Sequence, residues 1–292
     1  MFGVEYFYLV FPFYIIGRIL GIKVFRIITD RYSDSGIAPT WWKHPKVFFY
    51  RIQYIFFDKY LSGIVCLSNY LKENAILNGV ENKKICVIPH FIDIERFSNK
   101  AESNKPFLNE KIRLGFCGTL NESNGLFILL KAFSIIKKEY SKIELFLIGS
   151  ISKDDQTIVN EMIDGISDSI IFVGNVQGNK VPELLSKCDI LVNPRISSII
   201  AEAGFPTKLG EYLATKRPVV ATAVGDLKKY FMNERELILV VPDSPEALAD
   251  GIFYLLHNKL KGLQIGLSGY EWALENLEFK KNCKKLLQFI MS

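Results

Sequence analysis

The feature that most constrains this chain is the alternation, from Ile112 onward, of short apolar runs with longer amphipathic stretches. Runs rich in Ile, Val and Leu read as strands buried on both faces, and the stretches between them as helices that cover those faces. That order dictates βαβ units and a parallel sheet. Strands are predicted at Ile112–Cys117, Ile143–Ile148, Ile170–Val173, Ile190–Val192, Val219–Ala221 and Ile238–Val241. Helices are predicted at Leu126–Tyr140, Thr157–Ile166, Val181–Lys187, Thr207–Thr215 and Pro245–His257, and two more near Gly262–Glu275 and Phe279–Ile290. Six strands with intervening helices make a complete doubly wound, Rossmann-like domain.

The first hundred residues carry the same pattern less fully. Lys23–Thr29, Gly63–Leu67 and Ile85–Ile88 read as strands, and Lys46–Tyr60 as an aromatic-rich helix. Ser68 is placed to cap a helix running to about Leu77, with Gly79 beyond its end. Two or three strands fall short of a full partner domain. The polar stretch Asn99–Asn109 (NKAESNKPFLN) is the best linker candidate. The expected organisation is therefore a partial Rossmann-like domain over residues 1–104, a complete one over 105–276, and a closing helix over 277–292. The aromatic stretch Tyr6–Ile16 is shorter than the ~20 residues that cross a bilayer. It lacks the basic lead and small-residue cleavage site of a signal peptide. It fits either a buried helix or an interfacial segment resting on a membrane.

Composition narrows the class. With 49% hydrophobic and 23% charged residues, the chain of 292 residues is globular rather than disordered. A net charge of +5 suits contact with phosphates or an anionic membrane surface, or simply a solvated surface. It forms no basic stripe, so nucleic acid is not an expected partner. The five cysteines, Cys66, Cys86, Cys117, Cys188 and Cys283, stand at no metal-ligand spacing and read as reduced thiols. With three histidines and no Asp-x-Asp pair at a strand end, neither a metal nor another cofactor is expected.

In an open α/β sheet, ligands bind outside the carboxyl ends of the strands, against helix N-termini. That rule selects two loops. Gly118-Thr119-Leu120-Asn121-Glu122-Ser123-Asn124-Gly125 follows the first strand of the complete domain. Its glycines allow close backbone approach to a phosphate, although a plain strand-to-helix turn has the same composition. Gly204-Phe205-Pro206-Thr207-Lys208 leads into a helix that continues Leu209-Gly210-Glu211-Tyr212-Leu213. Gly204 would let the backbone turn sharply, and Pro206 suits a first helical turn. Free N–H groups with Lys208 nearby would make a socket for a diphosphate. Leu209 and Leu213 should face the core. Glu211 could accept hydrogen bonds from a vicinal diol such as ribose, or it could be a solvent-facing partner of Lys208.

At this point the residues match a known pattern. Gly204–Thr222, GFPTKLGEYLATKRPVVAT, resembles the signature of family-4 retaining glycosyltransferases of the GT-B fold. Three further segments agree in order: Val87–Asp93 with Phe97, Phe116–Leu120 followed by Asn124-Gly125, and Phe172–Val176 followed by Leu184–Pro194. The resemblance covers roughly Gly63 to the end. It implies an α/β, GT-B architecture of two Rossmann-like domains, the N-terminal one incomplete. It implies that Glu211 holds ribose hydroxyls and that Gly204, Phe205, Pro206 and Thr207 face the donor's phosphates and sugar. By the same resemblance, Gly118, Thr119 and Asn124 line the phosphate loop, backbone at Asn175 and Val176 holds the base, and Leu209 follows in the site.

Departures from the family pattern are specific. Ala203 stands where the first motif glutamate belongs, with Glu202 one residue off. Thr119 and Asn124 replace the usual arginine and lysine, and no histidine follows Ile27-Ile28-Thr29-Asp30-Arg31. A charge-assisted hydrogen bond is worth about 1.5–3 kcal/mol, so Lys208 has charge to make good. The implied function is transfer of a sugar from a UDP- or GDP-sugar donor to a glycan or lipid-linked acceptor, in bacterial surface polysaccharide synthesis on the cytoplasmic side of the membrane. Lys208 and Glu211 are the expected catalytic pair. The alternative is a truncated or split, non-catalytic module that binds a nucleotide sugar and needs a partner for the acceptor half.

Overall fold

The computed structural model describes residues 7–29, 51–101 and 105–292, arranged as two compact units. One comprises the chain to His90 with Ser198–Phe205 and Lys280–Ser292; the other comprises Phe91–Ser197 and Pro206–Phe279. The start of the helix expected at Lys46, together with Asp30 and Arg31, lies outside the described residues.

The first unit opens with α1 (Phe7–Leu20), β1 (Phe25–Ile28), β2 (Gly63–Cys66), α2 (Asn69–Leu77) and β3 (Ile85–Val87). Its strands form a parallel sheet in the order β1-β2-β3, with Arg26 beside Ile64 and Ile64 beside Ile85. All of β2 is buried, as a central strand covered on both faces must be. Ser68 caps α2 as expected, accepting from the Leu71 N–H at 3.2 Å. Around Gln53–Tyr60 the backbone passes through a π turn and a 3-10 turn rather than a regular helix.

The second unit begins with α3 (Glu95–Ala101), β4 (Ile112–Cys117), α4 (Leu126–Glu139), β5 (Ile143–Ile148), α5 (Lys153–Met162), β6 (Ile170–Gly174), α6 (Val181–Ser186) and β7 (Ile190–Asn193). After α7 (Ile199–Ala203), which belongs to the first unit, come α8 (Thr207–Ala214), β8 (Val219–Thr222), α9 (Leu227–Tyr230), β9 (Ile238–Val240), α10 (Pro245–His257) and α11 (Lys259–Asn276). The last helix, α12 (Phe279–Met291), joins the first unit from Lys280 onward. There Lys285 donates to the Val87 carbonyl at 2.8 Å, and Phe289 packs edge-on against Phe25.

Six parallel strands stand in the order β6-β5-β4-β7-β8-β9, each where its apolar run predicted it. The chain thus starts at the centre, winds outward to β6, crosses back to β7 beside β4 and winds outward again. Ile112, Leu114 and Phe116 of β4 face a core with Leu129, Phe133 and Ile136 of α4 and Ile252 and Leu255 of α10. Alternation sends Gly115 and Cys117 to the opposite face, against Leu191 and Cys188 in the case of Gly115. On that side α8 packs on β7, and α11 packs on α8.

Some expectations need correction. α5 starts earlier than Thr157 because Ser152 caps it, accepting from the Asp155 N–H at 3.1 Å and donating to the Asp155 carboxylate at 2.7 Å. The proposed linker begins inside α3, so Asn99–Ala101 are helical. Of the two readings of the Tyr6–Ile16 stretch, a buried helix is not what its described side chains form: Phe11, Phe13, Ile15 and Ile16 are exposed.

Inside the first unit, Arg26 on β1 and Asp58 form an ion pair that is buried at both ends. Removing one partner strands the other charge out of water. Asp58→Ala is expected to lower the unfolding free energy by about 3–5 kcal/mol in urea denaturation, whereas Arg26→Met combined with Asp58→Leu regains most of that loss.

Candidate functional site

The carboxyl edge of the larger sheet is built from the loops after β4, β5, β6 and β7 and from the start of α8. The β4 loop is pinned at both ends by close approach. Gly118 has φ +138°, and a Cβ there would stand 1.9 Å from Lys208 Nζ. Gly125 has φ +81°, and a Cβ there would stand 1.7 Å from the Pro194 carbonyl oxygen. Both backbone angles favour glycine; at Gly125 the Pro194 backbone also leaves no room for a side chain, whereas at Gly118 the neighbour is the movable end of Lys208. One end of the loop therefore lies against α8 and the other against the chain leaving β7.

Next to this loop, the Gly118 N–H donates to the Ile148 carbonyl at 2.7 Å, and the Gly149 N–H to the Gly174 carbonyl at 2.9 Å. These bonds bring three strand ends together around a cavity of about 250 Å³, lined by Cys117, Gly118, Thr119, Gly149, Asn175 and Val176 among others. Thr119 and Asn175 are exposed, and Val176 is half-buried. Two hollows of the first unit are larger, about 390 and 380 Å³. Both lie beside Lys23 and Ser62, at the amino ends of its strands, which is the wrong edge for a ligand in a parallel sheet.

α8 supplies the charged groups. Pro206 stands just outside the helix as its cap, with φ −65°, one position earlier than a first-turn proline. Lys208 is half-buried, its Nζ 4.9 Å from the centre of the Phe116 ring. Glu211 is also half-buried, and among the described residues no ion pair within 4.0 Å joins it to Lys208. The solvent-facing pair allowed by their spacing is therefore not formed. Burial lowers the Lys208 pKa from its ordinary value, with Arg195 acting in the same direction, while Cys117 and Glu211 oppose the shift. Burial raises that of Glu211, against the opposing fields of Arg96 and Lys208. Tyr212, fully buried, has its hydroxyl on the backbone of Cys117.

The remaining sequence-derived site residues divide sharply. Gly118, Thr119, Asn175 and Val176 meet around one cavity. Asn124 does not reach into it as a free donor. Both hydrogens of its side-chain amide are used within the loop, on the Thr119 carbonyl at 3.0 Å and the Asn121 carboxamide oxygen at 2.9 Å. Leu209 is fully buried and its N–H donates to the Pro206 carbonyl at 3.1 Å, so it packs rather than offering a group to a ligand. Gly204 has φ −92°, extended backbone that any residue adopts, so the sharp turn expected of it is absent. Gly204 and the buried Phe205 belong to the first unit, whereas Pro206, Thr207 and Lys208 belong to the second.

Three residues escaped sequence reasoning. Arg96, on α3, donates to the Gly178 carbonyl and lies within electrostatic reach of Glu211. Arg195 follows β7, where the Thr222 hydroxyl holds its carbonyl at 2.7 Å, and its field reaches Lys208. Asn193, 2% exposed at the end of β7, has a side-chain amide nitrogen with no partner among the described residues. Two polar residues, Asn193 and Arg195, closing an otherwise apolar strand run were the available signal for the last two. Among the described residues no three His, Cys, Asp or Glu side chains assemble into a metal-ligating group, and no helix is long and apolar enough to cross a membrane.

A switch-point cleft with this loop set invites comparison with known proteins. Residues 111–258 match the family Glycosyl transferases group 1. The chain belongs to the group 1 glycosyltransferases. The chain is 23% identical over 225 residues to the uncharacterized glycosyltransferase MJ1069 of Methanocaldococcus jannaschii, covering 76% of this chain and 56% of that protein. It is 25% identical over 233 residues to the putative teichuronic acid biosynthesis glycosyltransferase TuaC of Bacillus subtilis, covering 77% of this chain and 54% of that one. The chain thus spans about half the length of these curated relatives. Among solved structures, Anabaena Alr3699/HepE in complex with UDP-glucose superposes with a TM-score of 0.77 at 16% identity, covering 98% of this chain and 76% of that one. The fold is accordingly the α/β, GT-B type with Rossmann-like units.

Without a ligand, burial sets the charges of α8 against folding. Glu211, raised above its ordinary 4.5, disfavours folding once it must ionise. That cost is full above the raised folded value and disappears below 4.5, where the unfolded chain is protonated too. Lys208, lowered from 10.5, carries its cost below the lowered folded value and loses it above 10.5. Glu211→Gln and Lys208→Met are each expected to raise the melting temperature at pH 7. For Glu211→Gln the gain should vanish by pH 4; a fall at pH 7 in either variant would show that these charges are stabilised in the folded chain.

Proposed function

We propose that this glycosyltransferase binds a UDP-sugar in its second unit and moves the sugar, with retention of anomeric configuration, to a glycan or lipid-linked acceptor in surface-polymer synthesis. The observation that carries this reading is the cluster of Lys208, Glu211 and the Gly118 loop around the carboxyl edge at the β4–β7 switch point. Support for the uridine nucleotide comes from HepE, whose solved complexes contain UDP and UDP-glucose. Support for the acceptor class comes from TuaC, named for teichuronic acid biosynthesis. As the resemblance to family-4 enzymes suggests, the first unit takes the acceptor side.

In this reading Asn175 and Val176 hold the base and Glu211 accepts from the ribose hydroxyls. Lys208 and Arg195 face the diphosphate, whose charge grows as the bond to the anomeric carbon breaks. Fixed cations at that place stabilise the leaving group more than the intact donor, which is what accelerates transfer. No metal or other cofactor is assigned a role. A second reading rests on the first unit's sheet, which has three strands among the described residues. In that case the chain binds the nucleotide sugar and acts with a partner that completes the acceptor side.

Calorimetric titration with UDP and GDP tests the donor site. UDP is expected to bind saturably, and Glu211→Ala to weaken it about 10- to 100-fold, as loss of a charge-assisted bond of ~1.5–3 kcal/mol requires. Absence of binding to both nucleotides would remove the donor site altogether. Release of UDP-sugar hydrolysis or transfer products by the chain alone separates the first reading from the second.

A further inference from the structure

The ladder between β4 and β7 is shorter than that between β4 and β5. β4 pairs with β5 from Ile112 to Cys117, yet with β7 only at Leu114 and Gly115. In a parallel strand the N–H and C=O of one residue point to the same side. Gly118 bonds toward β5, and Arg113 toward the start of β7. By that alternation Cys117 presents both of its backbone groups toward β7, past the point where β7 has parted from it. A buried unpaired amide and carbonyl would each cost about 1–3 kcal/mol. Here a side chain takes the place of the missing strand. The phenolic oxygen of Tyr212 accepts from the Cys117 N–H at 2.7 Å and donates to the Cys117 carbonyl at 3.3 Å. Cys117 is 8% exposed and Tyr212 fully buried, so water does not compete for these bonds.

Tyr212 stands one helical turn beyond Lys208 on α8, on the same face. The two side chains contact consecutive residues of the strand end: Lys208 lies over Phe116 and against Gly118, and Tyr212 holds Cys117 between them. We propose that Tyr212 is a positioning residue of the donor site, its hydroxyl locking α8 to the end of β4 so that Lys208 and the Gly118 loop keep the spacing a nucleoside diphosphate requires. The proposal rests on the nucleotide-sugar reading. It assigns the tyrosine no contact with substrate; it acts through the backbone of Cys117 and Gly118.

Tyr212→Phe keeps the ring and deletes only the bridging oxygen. It is expected to weaken UDP about tenfold in calorimetry. A control matched for lost stability, Val159→Ala in the distant α5 core, is expected to leave UDP affinity unchanged. If Tyr212→Phe lowers the melting temperature and binds UDP like the unsubstituted chain, the tyrosine is a core residue only and the proposal falls. Should that variant not fold, hydrogen exchange on the unsubstituted chain decides. UDP is expected to slow exchange of the Cys117 and Gly118 amides, and unchanged rates overturn the proposal. Failure of the donor site itself is distinguished by the unsubstituted chain binding neither UDP nor GDP.

Discussion

The parting of β4 from β7 is the constraint on which the second unit depends. A parallel sheet that begins in its middle must send its first loop one way and its fourth strand's loop the other, and the two loops separate at the carboxyl edge. Here the separation begins at Gly115, two residues before β4 ends. Everything above that point must be held by something other than strand pairing. Gly125 against the Pro194 carbonyl closes the far side, and the Gly118–Lys208 approach closes the near one. The Tyr212 hydroxyl satisfies the backbone in between. The crevice is thus a consequence of topology, and at Gly125 its far wall stands too close for any other residue.

Within those walls the chain keeps charge where water is scarce. Lys208 and Glu211 are both half-buried, both shifted toward their neutral forms by burial, and not joined in a close ion pair. A second cation, Arg195, acts on Lys208 in the direction that disfavours its charge. Selection for stability alone would remove or pair such groups. Their arrangement makes sense if a polyanion and a diol complete the set, since a ligand's phosphates and hydroxyls would then supply the counter-charge and donors that the protein withholds.

Much of this was legible in the sequence because doubly wound sheets bury their strands on both faces, leaving runs such as Ile143–Ile148 with no polar break. The Gly118 loop was read from its place after a strand end, whereas Asn175 and Val176 came from the family resemblance; all three line one cavity. What escaped depended on local backbone geometry or on partners distant in sequence. Whether Asn124 is a free donor depends on where Thr119 and Asn121 fold back to meet it. The turn at Gly204 was inferred from residue type, yet only the backbone angle reveals that no glycine is required there. Tyr212 reads as one more apolar position on a helix. Its function lies in a hydroxyl that meets a residue 95 positions earlier. Arg96 acts on Glu211 from α3, a helix that the apolar pattern of the sequence did not announce.

The departures from the family pattern become coherent in these terms. Thr119 and Asn124 leave the β4 loop without side-chain cations, and the structure uses Asn124 to brace that loop instead. Cationic charge is found on the two elements facing the loop, as Lys208 on α8 and Arg195 after β7. Coulombic stabilisation of a diphosphate depends on the distance and burial of the cations, and not on which strand carries them. A cation carried by a helix that its own tyrosine anchors is held in place by that anchor. On the proposed reading, that placement keeps the electrostatic requirement of the leaving group met while the β4 loop is reduced to a backbone cradle of glycine and small polar residues.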